Sequence, residues 1–414
     1  MKYVIIIPDG AADLPMETLG NRTPLQAARL PHTQKLARQG ITGQSLYVPE
    51  GMPPGSDVAS LGLFGYNPSL YYSGRAPLEA AAQKIVLGDH DWAVRCNLVT
   101  IEQGKMVSFT AGQISSEEAA EIIQTMNEEL SGCFAGSPCI EFHAGVGYRH
   151  LLIVRRSGEA FFNQESKTCP PHDYTDQPVE QALPDGPGSP FLRELMNESR
   201  KILAEHAVNK KRKREGKLPA TQIWLWGQGQ RTSVPLLRFQ NGQRKKPPQN
   251  GAMITAVDLL RGIAESIGLT NICVPGATAY FDTDYAAKAR YAVEALKEFD
   301  LVCIHIEAPD EAGHEGNAEE KIRALEQIDE KIVAPVADAL RSYGEWTLFY
   351  SPDHPTPCAL KTHTRGHVPW FVSGSSVPAQ DRLYDEQSAS ESGRSFDCGW
   401  ELLPSIWQPP EFFG

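Results

Sequence analysis

Short apolar runs alternate with amphipathic stretches at both ends of the chain. Residues 3–7, 300–306 and 346–350 are apolar almost throughout, and residues 368–372 form a fourth run. Strands that are apolar on both faces are typical of parallel sheets covered by helices. Residues 24–40 and 319–343 repeat apolar positions at helical spacing and end at glycines. The pattern therefore predicts an α/β domain with a mostly parallel sheet flanked by helices.

The middle of the chain has a different pattern. Strand candidates at residues 94–101, 149–154 and 222–226 are separated by long segments, some of them rich in Pro and Gly. A chain of 414 residues is too long for one ordinary hydrophobic core. We predict a discontinuous domain of residues 1–84 and 246–414, with an α+β domain of residues 85–245 inserted into it.

Aspartate and histidine residues cluster after the apolar runs in the last third of the chain. The clusters contain Asp310 and His314, then Asp353 and His354, and finally His363. Asp and His four residues apart share one face of a helix and can bind one ion. Carboxylate and imidazole without cysteine suit Mn²⁺, Zn²⁺ or a similar divalent metal. Asp9 directly follows the first apolar run, at the edge where open α/β sheets bind ligands.

Composition restricts the possible partners. The net charge of −12 gives no general attraction to nucleic acid or to anionic membranes. No apolar run approaches the 18 to 20 residues that a membrane span needs, and the N-terminal run is too short for a signal peptide. We expect a cytoplasmic protein that has neither nucleic-acid nor membrane partners, and the oligomeric state stays open.

Ser56 lies between Gly55 and a predicted helix at residues 57–62. The amides at a helix N-terminus can receive an anion there. A serine hydroxyl is a weak nucleophile at neutral pH, and a divalent metal can activate it. Ser56 is therefore a candidate nucleophile for phosphoryl transfer, although a serine before a helix is also a common cap.

Several longer motifs carry a family resemblance over nearly the whole chain. They are IIIPDG (5–10), PPGSDVASLGLFGY (53–66), YYSGRAPLEA (71–80), RCNLVT (95–100), VPGATAYFDTD (274–284), EAPDEAGHEGN (307–317), SPDH (351–354) and HTRGHVP (363–369). The chain resembles the cofactor-independent phosphoglycerate mutases of the archaeal type, within the alkaline phosphatase superfamily.

The resemblance implies an alkaline-phosphatase-like fold with an inserted lid domain. It also implies interconversion of 3-phosphoglycerate and 2-phosphoglycerate through a phosphoserine at Ser56, without 2,3-bisphosphoglycerate. Two divalent ions (Mn, Zn, Mg or Co) would bind one set made of Asp9, Ser56, Asp353 and His354 and another made of Asp310, His314 and His363. His363 is preferred over His367 from its spacing to the following Val-Pro.

Candidate substrate contacts lie mostly in the inserted region. They are Arg75, Arg95, His150, His172, Asp173 and Lys217. Arginine and lysine would bind the phosphate or carboxylate of a small phosphorylated metabolite, and the histidines could transfer protons. Structural ion pairs and polar core positions are the alternative for each of them.

The sequence departs from the mutase pattern at one place. Mutases of this type carry an arginine-rich segment like DRRAGR where this chain has residues 107–113, VSFTAGQ. Here the chain resembles a bacterial subgroup that has been proposed to act as homoserine kinase. Two alternatives therefore stay open: a phosphotransferase acting on a small amino-hydroxy acid, and a non-catalytic binding protein with the same fold.

Overall fold

The computed structural model describes residues 1–130, 139–155, 161–163, 165–231, 234–237 and 248–407. The chain divides into two compact units, the first made of Met1–Tyr72 and Ser233–Gly414 and the second of Ser73–Thr232. The sequence placed the first boundary at 84/85, whereas α5 (Arg75–Ala82) belongs to the second unit because it packs on the sheet there. The other predicted boundary, at 245/246, lies outside the described residues.

The first unit begins with the N-terminal elements of the chain. They are β1 (Lys2–Pro8), α1 (Pro24–Ala27), α2 (Pro31–Arg38), β2 (Ile41–Ser45), α3 (Ser56–Leu63) and α4 (Pro68–Tyr71).

The second unit follows as one continuous segment. After α5 it contains β3 (Trp92–Glu102), β4 (Lys105–Ser108), α6 (Ser116–Leu130), β5 (Cys139–His143), β6 (Arg149–Arg155), α7 (Ser189–Glu205), α8 (Ala207–Arg214) and β7 (Gln222–Gln230).

The remaining elements complete the first unit. They are β8 (Gly251–Ile254), α9 (Asp258–Ser266), β9 (Thr270–Ile272), α10 (Tyr285–Ala295), β10 (Leu301–Ile306), α11 (Ala308–Glu315), α12 (Ala318–Ile328), α13 (Ala334–Leu340), β11 (Trp346–Tyr350), β12 (Val368–Gly374), α14 (Glu386–Ser390), β13 (Ser395–Phe396) and α15 (Leu402–Ile406).

An eight-stranded sheet organises the first unit, in the order β13-β2-β12-β11-β1-β10-β8-β9. The pairs from β11 through β1, β10 and β8 to β9 are parallel, and only β12 runs antiparallel to its neighbours. The α/β prediction with a mostly parallel sheet is confirmed. One face packs against α10, α12 and α13, where Val4, Ile6 and Ile304 are buried in the core. Burial of each such side chain contributes about 1.5–3 kcal/mol.

The predicted helix at residues 319–343 is interrupted. Asp329–Val333 forms a π-helical turn between α12 and α13. The turn brings the Asp329 carboxylate to the N-terminus of α2, where it accepts hydrogen bonds from the backbone amides of His32 (3.2 Å) and Thr33 (2.6 Å). Since α2 has no side-chain cap of its own, this distant carboxylate satisfies its free amides.

The second unit is α+β, as predicted. In its antiparallel sheet β3 lies between β6 and β7, β5 pairs with β6, and β4 pairs with the end of β3. Both tryptophans of β7, Trp224 and Trp226, are buried in the core, which agrees with the packing role their alternation indicates. Over the described parts of both units, every helix is too short or too polar to span a bilayer.

Candidate metal centre

Three neighbouring parallel strands, β10, β1 and β11, bring the Asp and His clusters together. Asp9 directly follows β1, Asp310 lies in the first turn of α11 after β10, and Asp353 follows β11. The carboxyl ends of parallel strands meet at one edge of a sheet. His363 precedes β12, which is antiparallel, so the start of β12 lies at this same edge.

Ser56 is the first residue of α3 and is 7% exposed. Its hydroxyl oxygen lies 3.0 Å from Nε2 of His354 and 3.5 Å from Oδ2 of Asp9. The cap position of this helix is Gly55, so Ser56 is not its cap. Asp57 accepts a hydrogen bond from the hydroxyl of Tyr72, and the cap residue Gly55 has no side chain that could bond to the amides of α3.

One group that could hold a metal ion is formed by Asp9, Asp353 and His354, whose donor atoms lie within 4.8 Å of one another. All three residues are at most 1% exposed. Nε2 of His354 lies 3.3 Å from Oδ1 of Asp9 and 3.6 Å from Oδ2 of Asp353. With Ser56 beside it, this group contains every residue predicted for the first metal site.

A second group surrounds Asp310. Its Oδ2 lies 3.3 Å from Nε2 of His314, and its Oδ1 lies 3.4 Å from Nε2 of His363. The two imidazole nitrogens are 2.9 Å apart. His354 also lies within reach, because its donor atom falls within 4.8 Å of those of Asp310 and His363. The residues predicted for the second site are therefore together, and His354 is next to both groups.

The pKa values of Asp9 and Asp310 are shifted in opposite directions. Burial, together with repulsion from Asp353 and Asp310, raises the pKa of Asp9 well above its usual value. Burial also opposes ionisation of Asp310, but hydrogen bonds from His314 and His363 bring its pKa well below the usual value. The hydrogen bond to Asp310 in turn raises the pKa of His314 to about 9.

A bound cation would offset the cost of burying the Asp9 carboxylate. Oδ1 of Asp9 is buried and, among the described residues, meets no hydrogen-bond donor, and a buried carboxylate oxygen without a partner is costly. The surrounding ligands are carboxylates, imidazoles and a serine hydroxyl, the donors that Mn²⁺ and Zn²⁺ accept. The residues present therefore fit divalent metal ions.

His305 and Glu307 lie next to Asp9 and were not predicted as site residues. His305, in β10, directs Nε2 to Oδ2 of Asp9 at 2.9 Å and lies 3.6 Å from Oε2 of Glu307. The three form another group with the geometry to hold a metal. Lys288 donates to the backbone oxygen of His305 at 3.1 Å, and burial lowers the pKa of this lysine to about 8. A histidine inside an otherwise apolar strand was the available sequence signal.

Three of the proposed substrate residues lie near one tryptophan of the second unit. The guanidinium group of Arg95 stacks 4.1 Å from the ring of Trp226 and forms an ion pair with Glu79 at 3.0 Å. The ring of His172 lies 5.6 Å from that of Trp226, with its Nε2 3.7 Å from Asp173. Arg95, His172 and Asp173 are therefore neighbours.

The other proposed substrate residues have different surroundings. Arg75 is the first residue of α5. Burial, together with repulsion from Arg75, lowers the pKa of Arg95. His150 is 2% exposed, and its Nδ1 accepts a hydrogen bond from the amide of Gly145. Lys217 is exposed and pairs with Glu215 at 2.7 Å. These contacts favour structural roles for His150 and Lys217.

Gly10 is expected to be irreplaceable at this site. Its φ of 61° is left-handed, and a Cβ there would contact Asp310 and lie 2.6 Å from Oγ1 of Thr356. We expect Gly10→Ala to lower the free energy of unfolding by about 2–4 kcal/mol, combining backbone strain and steric overlap, as measured by urea denaturation. Gly20→Ala is the matched control, because φ is 67° but no atom lies within 4 Å; equal losses in the two variants would contradict the crowding described here.

The chain is similar to known proteins of one enzyme family. The model of the 2,3-bisphosphoglycerate-independent phosphoglycerate mutase family matches residues 37–209. A protein of that name from Methanosarcina acetivorans is 46% identical over 97% of this chain and 98% of its own length.

Two solved structures are also similar. The PH0037 protein from Pyrococcus horikoshii superposes with a TM-score of 0.79 at 27% identity, covering 100% of this chain and 97% of its own. The cofactor-independent phosphoglycerate mutase from Thermoplasma acidophilum gives a TM-score of 0.66 at 25% identity, covering 98% and 100%. The chain belongs to the 2,3-bisphosphoglycerate-independent phosphoglycerate mutase family.

Proposed function

We propose that this protein interconverts 3-phosphoglycerate and 2-phosphoglycerate through a phosphoserine at Ser56. The observation that carries the proposal is the position of the Ser56 hydroxyl at the start of α3, 3.0 Å from His354 and 3.5 Å from Asp9. The names of the relatives support the choice of substrate.

Two divalent ions complete the proposed site. Asp9, Ser56, Asp353 and His354 would hold one, and Asp310, His314 and His363 the other. Bound there, the ions would lower the pKa of the serine hydroxyl and neutralise charge on the phosphoryl oxygens. The mixture of carboxylate and imidazole favours Mn²⁺ or Zn²⁺, with Co²⁺ and Mg²⁺ as alternatives.

The residues of the chain would then act as follows. The Ser56 oxygen attacks phosphorus as the bond to the substrate oxygen breaks, and the serine proton passes to that oxygen, which leaves phosphoserine and glycerate. The backbone amides at the start of α3 would stabilise the phosphoryl charge. Glycerate presents its other hydroxyl, which takes the phosphoryl group and restores Ser56. No water or second phosphorylated cofactor enters this balance.

Water must stay away from the phosphoserine during the exchange, since hydrolysis would turn the mutase into a phosphatase. Arg75, Arg95, His172 and Asp173 are the candidates for binding the carboxylate or phosphate of the substrate, since the arginine-rich segment of the family is absent at residues 107–113.

The test is a coupled assay with enolase. Metal-loaded protein is incubated with 3-phosphoglycerate, and formation of 2-phosphoglycerate is expected to depend on Mn²⁺ and to cease with a chelator. No turnover by protein that still hydrolyses an aryl phosphate would favour the amino-hydroxy acid alternative, which homoserine phosphorylation would then test. No turnover in either assay would leave a binding protein.

A further inference from the structure

We propose that Thr356 is a positioning residue that connects the two ligand groups and fixes the tautomer of His354. The inference rests on the proposed function, because it concerns the metal ligands of that site. Thr356 is 0% exposed and follows the Asp353-His354 pair by two residues. It is not itself a ligand in either group.

The hydroxyl of Thr356 lies between the two groups. Its Oγ1 donates a hydrogen bond to Oδ1 of Asp310 and lies 3.2 Å from Nδ1 of His354. Asp310 belongs to the second group and His354 to the first. One short side chain therefore joins a ligand from each metal site.

The proton positions follow from the number of available donors. A threonine hydroxyl has one proton, and an ionised carboxylate can only accept. The hydroxyl proton of Thr356 must therefore point to Asp310. The contact with Nδ1 of His354 is then a hydrogen bond only if Nδ1 carries the imidazole proton and donates it to Oγ1. In neutral His354 this leaves Nε2 unprotonated.

An unprotonated Nε2 is what the site requires. This nitrogen faces the Ser56 hydroxyl at 3.0 Å and Oδ1 of Asp9 at 3.3 Å. A metal ion can bind only a nitrogen with a free lone pair. With the opposite tautomer, the proton on Nε2 would occupy the space between His354 and Asp9, where the ion is proposed to bind.

Thr356 is itself held firmly. Its amide donates to the backbone oxygen of Ala12 at 3.2 Å. The buried ammonium of Lys321 donates to the backbone oxygen of Thr356 at 2.9 Å and to Oδ2 of Asp13 at 2.8 Å. The loops after β1 and β11 are thus tied together on both sides of the hydroxyl, which restricts the positions Oγ1 can take.

The test compares Thr356→Val with Thr356→Ser. Valine keeps the branched shape and removes the hydroxyl, whereas serine keeps the hydroxyl and removes the methyl group. Calorimetric titration of Mn²⁺ into chelator-treated protein is expected to show about 10- to 100-fold weaker binding for the valine variant, as for other residues that orient metal ligands. The serine variant is expected to bind like wild type.

A second readout needs no metal. In metal-free protein labelled with ¹⁵N-histidine, the His354 signals are identified by their loss in His354→Gln. Wild type and the serine variant are expected to show a protonated Nδ1 at mildly alkaline pH, and the valine variant a shift toward protonated Nε2. If valine prevents folding, Thr356→Ala removes the same hydroxyl without adding volume.

The outcomes separate the two proposals. Unchanged Mn²⁺ affinity and an unchanged His354 tautomer in the valine variant would overturn the role of Thr356. A wild-type protein that binds none of Mn²⁺, Zn²⁺, Co²⁺ and Mg²⁺ would instead overturn the proposed function. The tautomer measurement would still decide whether Thr356 orients His354 in that case.

Discussion

Replacing Ser56 with alanine is expected to reduce turnover of 3-phosphoglycerate by at least about 10³-fold, because removing a nucleophile leaves only binding and electrostatic contributions. The fold should be unaffected, since Ser56 lies at the start of α3 and the helix has no side-chain cap to lose. The coupled enolase assay gives the rate. Mass spectrometry of acid-quenched wild-type protein should find phosphate on the peptide that contains Ser56.

Ser69→Ala is the matched control for this substitution. Ser69 lies in the next helix, α4, and is exposed, with its hydroxyl 3.8 Å from the sulfur of Met52. Its loss is expected to leave the rate unchanged. A Ser56→Ala protein that turned over at the wild-type rate would show that the phosphoryl group does not pass through Ser56.

Replacing Asp310 with asparagine is expected to abolish turnover by removing one of the two metal ions. The Asp310 carboxylate contacts His314 and His363 and accepts a hydrogen bond from Thr356. Asparagine would replace one carboxylate oxygen with an NH₂ group, which donates hydrogen bonds and cannot accept them. Metal analysis of the purified proteins should find one ion per chain in the variant and two in the wild type. The rate should fall by about 10³-fold or more, as when charge stabilisation in phosphoryl transfer is lost.

Glu315→Gln is the control on the same helix. Glu315 is the last residue of α11 and contacts the hydroxyl of Tyr280 rather than the ligand group. This variant is expected to keep both ions. An Asp310→Asn protein that also kept two ions would contradict the assignment of Asp310 to the second metal site.

The main architecture could be predicted from local pattern alone. The apolar runs of β1, β10 and β11 match the strands of the structure to within a residue or two at each end. They are buried on both faces, and such strands have few alternatives to a covered parallel sheet. The same rule predicted that the candidate metal ligands lie together, because residues that follow parallel strands share one edge of the sheet.

Features that depend on long-range pairing were not predictable. The direction of β12 is one, since an apolar run has the same pattern in either orientation. The π-helical turn at Asp329–Val333 is another, because the Asp329 carboxylate accepts hydrogen bonds from the N-terminus of α2, which is distant in sequence. The assignment of α5 to the second unit likewise reflects packing on β3 and β7.

The sequence did not predict the residues whose role at the site depends on contacts with the candidate metal ligands. His305 lies inside a buried strand, where a histidine is more often a core residue, and only its contact with Asp9 distinguishes it. Thr356 has no sequence signal at all, since its importance comes from the positions of Asp310 and His354. Ligands at strand ends can be predicted, whereas the residues that orient them require coordinates.

We propose that six side chains, distant in sequence, hold two divalent ions against the hydroxyl of Ser56. Anomalous diffraction from a crystal grown with Mn²⁺ would locate these ions. We expect two peaks in the first unit, one among Asp9, Ser56, Asp353 and His354 and the other among Asp310, His314 and His363. Peaks elsewhere, or a fully loaded protein with no peak beside the Ser56 oxygen, would contradict it.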